Sequence, residues 1–234
     1  MTTALKVSRD LVRHLSTFDL SETAVMAPDL GTARASMTPY RVAAGFMAKS
    51  TKLLTAPDEN LKLTHSESDR VAAFGLSLAP ADLSGDWNVC RYAGKCRDAC
   101  LATSGNGRYG RTQAGRVWKT KWLASEPLHF LRVLVDEIDR IKVGAWSDAG
   151  WTVSFRFNVL SDLPWETIAP WLVRRIADRG IRLYDYSKWP TAKRAGASSL
   201  GYEVCQSVHE KTTDLQLRTM PHPVVVVDVT RGRR

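Results

Sequence analysis

"WTVSFRFNVLSDLPWETIAPWLVRRIADRGIRLYDYSK" (residues 151–188) holds a strand, a helix and a second strand with almost nothing between them. Residues 151–159 alternate strictly. Val153, Phe155, Phe157 and Val159 fall on one face and Ser154, Arg156 and Asn158 on the other, which is the period of a β-strand. Beyond "LSD" the alternation stops. Pro164 suits a first helical turn, Glu166 suits the positive end of a helix, and Trp165, Ile168, Ala169, Leu172 and Ile176 make one apolar stripe down to Gly180. "IRLYDYSK" (181–188) starts the next strand at once. Links this short imply a right-handed βαβ unit with parallel strands.

The same alternation extends outward. "RVAAFGLSLAP" (70–80) predicts a strand ended by Pro80, and "TQAGRVWKTKWL" (112–123) begins helical structure that breaks near Pro127. Leu128, Leu131, Leu134, Val135, Ile138 and Ile141 then recur at helical spacing. After residue 188 come a short helix or loop, "WPTAKRAGA", a strand, "YEVCQSV" (202–208), and a strand buried on both faces, "VVVVDV" (224–229). Residues 1–60 read as an N-terminal helical or irregular extension, with a short helix near 5–15 and an amphipathic piece around 38–54. Residues 61–234 form the β/α domain. The expectation is an α/β fold with five or six strands in a partial or small β/α barrel of parallel strands, an open doubly wound sheet being the alternative.

At 234 residues and 44% hydrophobic content the chain can bury one sizeable core. It contains no apolar run of membrane-spanning length and its start lacks the pattern of a signal peptide, so no membrane association and a cytoplasmic location are expected. Basic side chains outnumber acidic ones, 33 to 24, for a net charge of +9, which favours an anionic substrate, a nucleotide or nucleic acid.

In parallel β/α folds the carboxyl ends of the strands form the functional rim. The polar clusters of this chain fall there. After the first strand comes "NVCRYAGKCRDACLATSGNGRYG" (88–110), which places Cys90, Cys96 and Cys100 in C-x5-C-x3-C spacing, with Cys205 as the remaining cysteine. In a reducing compartment such crowding points to a metal or redox centre. Three thiolates can hold three irons of a 4Fe–4S cluster and leave the fourth open to S-adenosylmethionine. They can equally hold a zinc ion closed by Cys205, His209 or another donor, or stand as reduced thiols without metal. Cys205 alternates with Glu203 and Ser207, and either reaches the site or packs.

Gly105 and Gly107 lie in "SGNGRYGR" just before a helix, where backbone N–H groups can cradle an anion or simply turn the chain. Trp118 and Trp122 sit among Arg116, Lys119 and Lys121, a pattern that suits stacking on nucleic acid or a helix with tryptophans in the core and lysines in water. After the second strand, Asn158 and Ser161 are candidates to bind a cofactor, and Asp162 either caps the following helix or binds a ribose or amine. Asp185 and Lys188, with Tyr186 between them, offer acid, ammonium and phenol after the third strand, although Tyr184 and Tyr186 on one face also suit packing. His209 and Glu210 are the proton-transfer candidates after the fourth.

"LSLAPADLSG" leading into "NVCRYAGKCRDACLATSG", then "RFNVLSDLPWE", then "YDYSK", resembles bacteriophage proteins of actinobacterial phages related to the gene product 88 family. The resemblance covers roughly residues 70–210. That group is in turn similar to three-cysteine phage proteins regarded as distant relatives of radical S-adenosylmethionine enzymes. It implies a partial β/α barrel, a cluster on Cys90, Cys96 and Cys100, and a phage protein working in the host cytoplasm. The spacing here departs from the C-x3-C-x2-C of most radical enzymes. Gly201-Tyr202 and "VCQS" also stand where the group has an Asn-Tyr pair and a Thr-Phe-Ser strand end. The expected activity is a radical S-adenosylmethionine-type reaction on a nucleotide or nucleic acid. The alternative is a non-enzymatic, zinc-stabilised module that binds nucleic acid or a host protein.

Overall fold

In a computed structural model, which describes residues 8–46, 51–57, 59, 70–98, 100, 107, 109–208 and 224–225, the alternating segment forms β5 (Thr152–Arg156). It lies in a six-stranded sheet with β2 (Leu54–Thr55), β3 (Val71–Leu76), β6 (Arg182–Ser187), β7 (Tyr202–Ser207) and β8 (Val224–Val225), in the order β2-β3-β5-β6-β7-β8. β2 runs antiparallel to β3, and every other neighbouring pair is parallel. The parallel strands stand side by side in chain order, without the reversal that defines a doubly wound sheet. No closure between β2 and β8 is present among the described residues, so the molecule is a mixed α/β protein built on a parallel sheet.

Both faces of β5 are buried, each for its own reason. Val153, Phe155 and the following Phe157 join the main core, and Phe157 stacks on Trp165 of α8 (Trp165–Ile168) with ring centroids 4.9 Å apart. On the other face Ser154 pairs in register with Ala73 of β3, and Arg156 with Gly75. Continuing across the sheet, Tyr184 and Tyr186 stand beside Glu203 and Cys205. That second face is therefore more polar than the first, and it carries Arg156, Tyr184 and Tyr186.

The apolar stripe after β5 is two helices, α8 and α9 (Pro170–Asp178), not one. Pro170 has no N–H to give the turn before it and disfavours helical geometry at Ala169, which sits at φ −146°, ψ 71°. α5 (Gly110–Ser125) and α6 (Pro127–Asp139) divide at Pro127 in the same way, and the turn after them holds α7 (Val143–Asp148). Trp118 and Trp122 on α5 have no solvent exposure, which removes them as stacking platforms for bases. Lys119 is not in water either, since its Nζ donates to the Leu53 carbonyl at 2.7 Å.

The N-terminal residues fold as β1 (Arg9–Asp10) and four short helices, α1 (Leu11–Leu15), α2 (Glu22–Met26), α3 (Leu30–Ser36) and α4 (Thr38–Ala43). The amphipathic piece expected over 38–54 thus contributes only α4 and one residue of β2 within its described part. β1 pairs in parallel with β4 (Trp87–Asn88), anchoring the chain just before Cys90. Leu11, Leu15, Val25, Ala33 and Met37 enter the same core as the sheet and α6. Polar bonds tie the junction, with Trp122 donating to the Ser36 hydroxyl at 2.9 Å and Trp171 to the Leu20 carbonyl at 2.7 Å. Among the described residues no helix is long and apolar enough to cross a membrane.

Candidate functional site

Local bonds aim the first cysteine. The Asn88 carboxamide accepts the Cys90 N–H at 2.8 Å, and Ala81, held at φ 48°, turns its own N–H onto Cys90 Sγ at 3.3 Å. Sγ also lies 3.6 Å from the Leu160 carbonyl, at the carboxyl end of β5. A 3-10 turn, Gly94–Arg97, then carries Cys96, and Gly94 at φ 52° supplies the left-handed step that enters it. Cys90, Cys96 and Cys100 line one cavity of about 380 Å³ together with Arg156, Asp162 and Lys188. It opens at the carboxyl ends of the parallel strands, where Asn158, Ser161, Tyr186 and Ser207 complete the wall.

The four cysteines are present as thiols, with Cys90 and Cys100 half-buried and Cys96 exposed. Burial pushes the Cys90 thiol up to about 12, and the Asp162 carboxylate and the other two thiols push the same way against the Ala81 N–H. Three thiols on one cavity are donors of the kind a thiophilic metal takes, and a cation there would supply the charge that a thiolate at Cys90 lacks. Among the described residues no three His, Cys, Asp or Glu side chains converge as the ligands of a single ion do.

Beneath this wall lie two buried carboxylates. Asp162 does not cap α8, whose N-terminus has no side-chain cap. Instead it accepts the Ser187 hydroxyl at 2.7 Å and the Lys188 N–H at 2.8 Å, 3.5 Å from an Arg194 guanidinium nitrogen. Burial still pushes its carboxyl up to about 6. Arg194 is 4% exposed and closes the network through a buried pair with Glu166 and a bond to Ser187 at 2.9 Å.

Asp185 is fully enclosed and does not line the cavity. It accepts from the Asn158 backbone N–H and carboxamide, from the Tyr202 hydroxyl, and from Arg156 Nε at 3.2 Å. Burial raises its carboxyl despite those donors. Asn158 spends its remaining bonds on the loop that follows, accepting the Ser161 hydroxyl and the Leu163 N–H, both at 2.9 Å, and donating to the Leu163 carbonyl. Its carboxamide shapes the loop bearing Asp162 rather than projecting free donors.

The gene product 88 family model matches residues 46–231, a span that includes the cysteine segment and all five parallel strands. The chain belongs to the gene product 88 family. Comparison with curated proteins and with solved structures returns no match.

In this gene product 88 protein the structure brings together eight of the residues singled out in the sequence: Cys90, Cys96, Cys100, Asn158, Ser161, Asp162, Tyr186 and Lys188. Gly107 is buried away from the cavity wall, its carbonyl 3.5 Å from Arg116 Nη1. Gly105, His209 and Glu210 lie outside the described residues. Cys205 lines a different cavity, beside Thr191, Arg194 and Glu203. Tyr184 and Tyr186 contact edge-on, with centroids 6.3 Å apart. The sequence reading passes over Arg156 as a binding residue, although alternation along β5 places it beside Asn158 at the strand tip. It also misses Arg194, for which no local pattern distinguishes a buried guanidinium from a solvated one.

Proposed function

We propose that this gene product 88 protein holds a 4Fe–4S cluster on Cys90, Cys96 and Cys100 at the mouth of a partial β/α barrel. On that basis we infer a radical S-adenosylmethionine-type enzyme acting on a nucleotide or nucleic acid in the host cell. The observation that carries the reading is the shared cavity, with three thiols, three cations (Arg97, Arg156 and Lys188) and a buried carboxylate gathered at the carboxyl ends of sequentially ordered parallel strands. Sequential order of the parallel strands, without reversal, is what an arc of a β/α barrel has. When bound, a cluster on three thiolates supplies single electrons and one iron open to the amino and carboxylate groups of S-adenosylmethionine.

The chain's own residues prepare the cavity for an anionic ligand. Arg156 is held by Asp185 and lies over the Tyr186 ring, 4.8 Å from its centroid, so its guanidinium presents a fixed face to the wall. Lys188 follows β6 directly, its Nζ 3.5 Å from the Val208 carbonyl, and joins Arg97 and Arg156 among the cations of the cavity. Asp162, whose carboxyl burial pushes up to about 6, lines the same wall as a candidate proton carrier. Arg194 and Ser187 fix the orientation of that carboxylate.

The test is reductive cleavage of S-adenosylmethionine by the anaerobically iron-loaded protein under dithionite. The reading predicts 5′-deoxyadenosine and methionine as products, and their loss in the Cys96→Ser variant. Iron-loaded protein that forms neither product contradicts the enzymatic reading.

A further inference from the structure

A second cavity, of about 430 Å³, opens between β2, β3, α6 and α7 and shares no lining residue with the cysteine cavity. Its floor is apolar, with Leu54 and Ile141 buried and Phe74 and Trp146 half-buried. The two rings meet edge-on with centroids 6.4 Å apart, and Trp146 rests against Trp151 at 5.9 Å. The rim is cationic, formed by Arg34, Lys52, Arg140 and Lys142.

Asp136 and Glu137 stand beside these four cations, and Glu137 lines the cavity itself. Asp136 is shared between Arg34 at 2.8 Å and Arg140 at 3.0 Å, so one carboxylate serves two guanidiniums. The Glu137 carboxylate in that wall is engaged by the N–H groups of Leu53 and Leu54, which it accepts at 2.9 Å. Lys142 is exposed and adds positive charge at the start of α7.

An aromatic floor under a ring of cations matches one ligand chemistry. A flat heterocycle stacks on the half-buried rings. A phosphate attached to it meets the guanidinium and ammonium groups at the rim. The volume falls in the range of small-molecule sites, on the order of 300–1,000 Å³, and suits one base with its sugar. A lipid chain or an apolar helix would fill the floor and leave the rim uncompensated.

We propose that this cavity binds a nucleobase carrying a phosphate, supplied by a free nucleotide or by a single nucleic-acid strand. The site is independent of the cysteines, so it stands or falls without the iron–sulfur reading.

Calorimetric titration of the full chain at low salt, with inorganic phosphate, adenosine monophosphate and a ten-residue oligothymidylate as probes, tests it. The nucleotide or the oligonucleotide binds at least about tenfold more tightly than phosphate, and Trp146→Ala weakens that binding about tenfold or more, as loss of a stacking platform does. Lys142→Glu weakens it as well, and because Lys142 is exposed at the start of α7 this variant keeps the parent circular dichroism spectrum and carries the test if Trp146→Ala unfolds. Tight binding of adenosine monophosphate identifies the free nucleotide as the source, and binding of the oligonucleotide alone identifies the strand. The proposal is overturned if no probe binds, if phosphate binds as tightly as either, or if folded Lys142→Glu binds like the parent.

Discussion

Asp185 has no contact with solvent, yet four donors on three residues converge on its carboxylate. Truncation to alanine would strand Arg156 and the Tyr202 hydroxyl in a low-dielectric interior. Asp185→Ala should therefore cost about 3–5 kcal/mol in urea denaturation, and a loss below about 1 kcal/mol would show that the network does not hold the fold. Lys119 offers a second check. Burial pushes its ammonium from the ordinary 10.5 down to about 8, with Glu137 and Glu59 opposing. Between those values the unfolded chain binds more protons than the folded one, so this group's contribution rises as pH climbs from about 8 to about 10.5 and is lost as pH falls through about 8. The urea midpoint of the parent relative to Lys119→Met should rise over that window, and a flat difference contradicts the assignment. At this scale the sequence was readable where residue type and crowding coincided, as at the three cysteines. It was not readable at Asp162 or Arg194, because only the folded chain brings residues 162, 166, 187 and 194 to one point.

Elements were legible in proportion to their length. β5 could be read because its two faces differ over nine residues, and the break between α5 and α6 because Pro127 marks it. β1, β2 and β4 have two residues each, too few to show a period, and they exist because a neighbour supplies their hydrogen bonds. The division between α8 and α9 was signalled by Pro170 but masked by an apolar stripe that continues across it. The turn from the 3-10 segment Ser198–Leu200 into β7 depends on Gly201, which sits at φ 75° with its Cβ position 3.1 Å from the Ala177 methyl. Gly201→Ala should destabilise the protein by about 1–2 kcal/mol through the left-handed backbone alone, read as a shift in the denaturation midpoint. An unchanged midpoint would mean that the turn relaxes. Tyr202 follows at once and donates to Asp185, so strain at this turn would reach the network beneath the cysteine cavity.

For the whole molecule, short links and alternating elements were enough to anticipate an α/β fold with a parallel sheet of about six strands. They did not reveal how residues 8–46 and 51–55 engage, because short helices with one or two core residues carry little pattern of their own. Those residues share the core of the sheet, pack on α5 and α6, and hold β4 in place before Cys90. The fold thus delivers three thiols from one loop to the tips of strands that also present Arg156, Asp162 and Lys188. The claim on which the account turns is that this loop holds a cluster. Iron and acid-labile sulfide counted on anaerobically purified protein, beside a variant with Cys90, Cys96 and Cys100 all changed to serine, test it most directly. The account predicts about four irons and four sulfides per chain, with visible absorption bleached by dithionite and absent from the variant. One zinc per chain without sulfide, or equal metal in parent and variant, would contradict it.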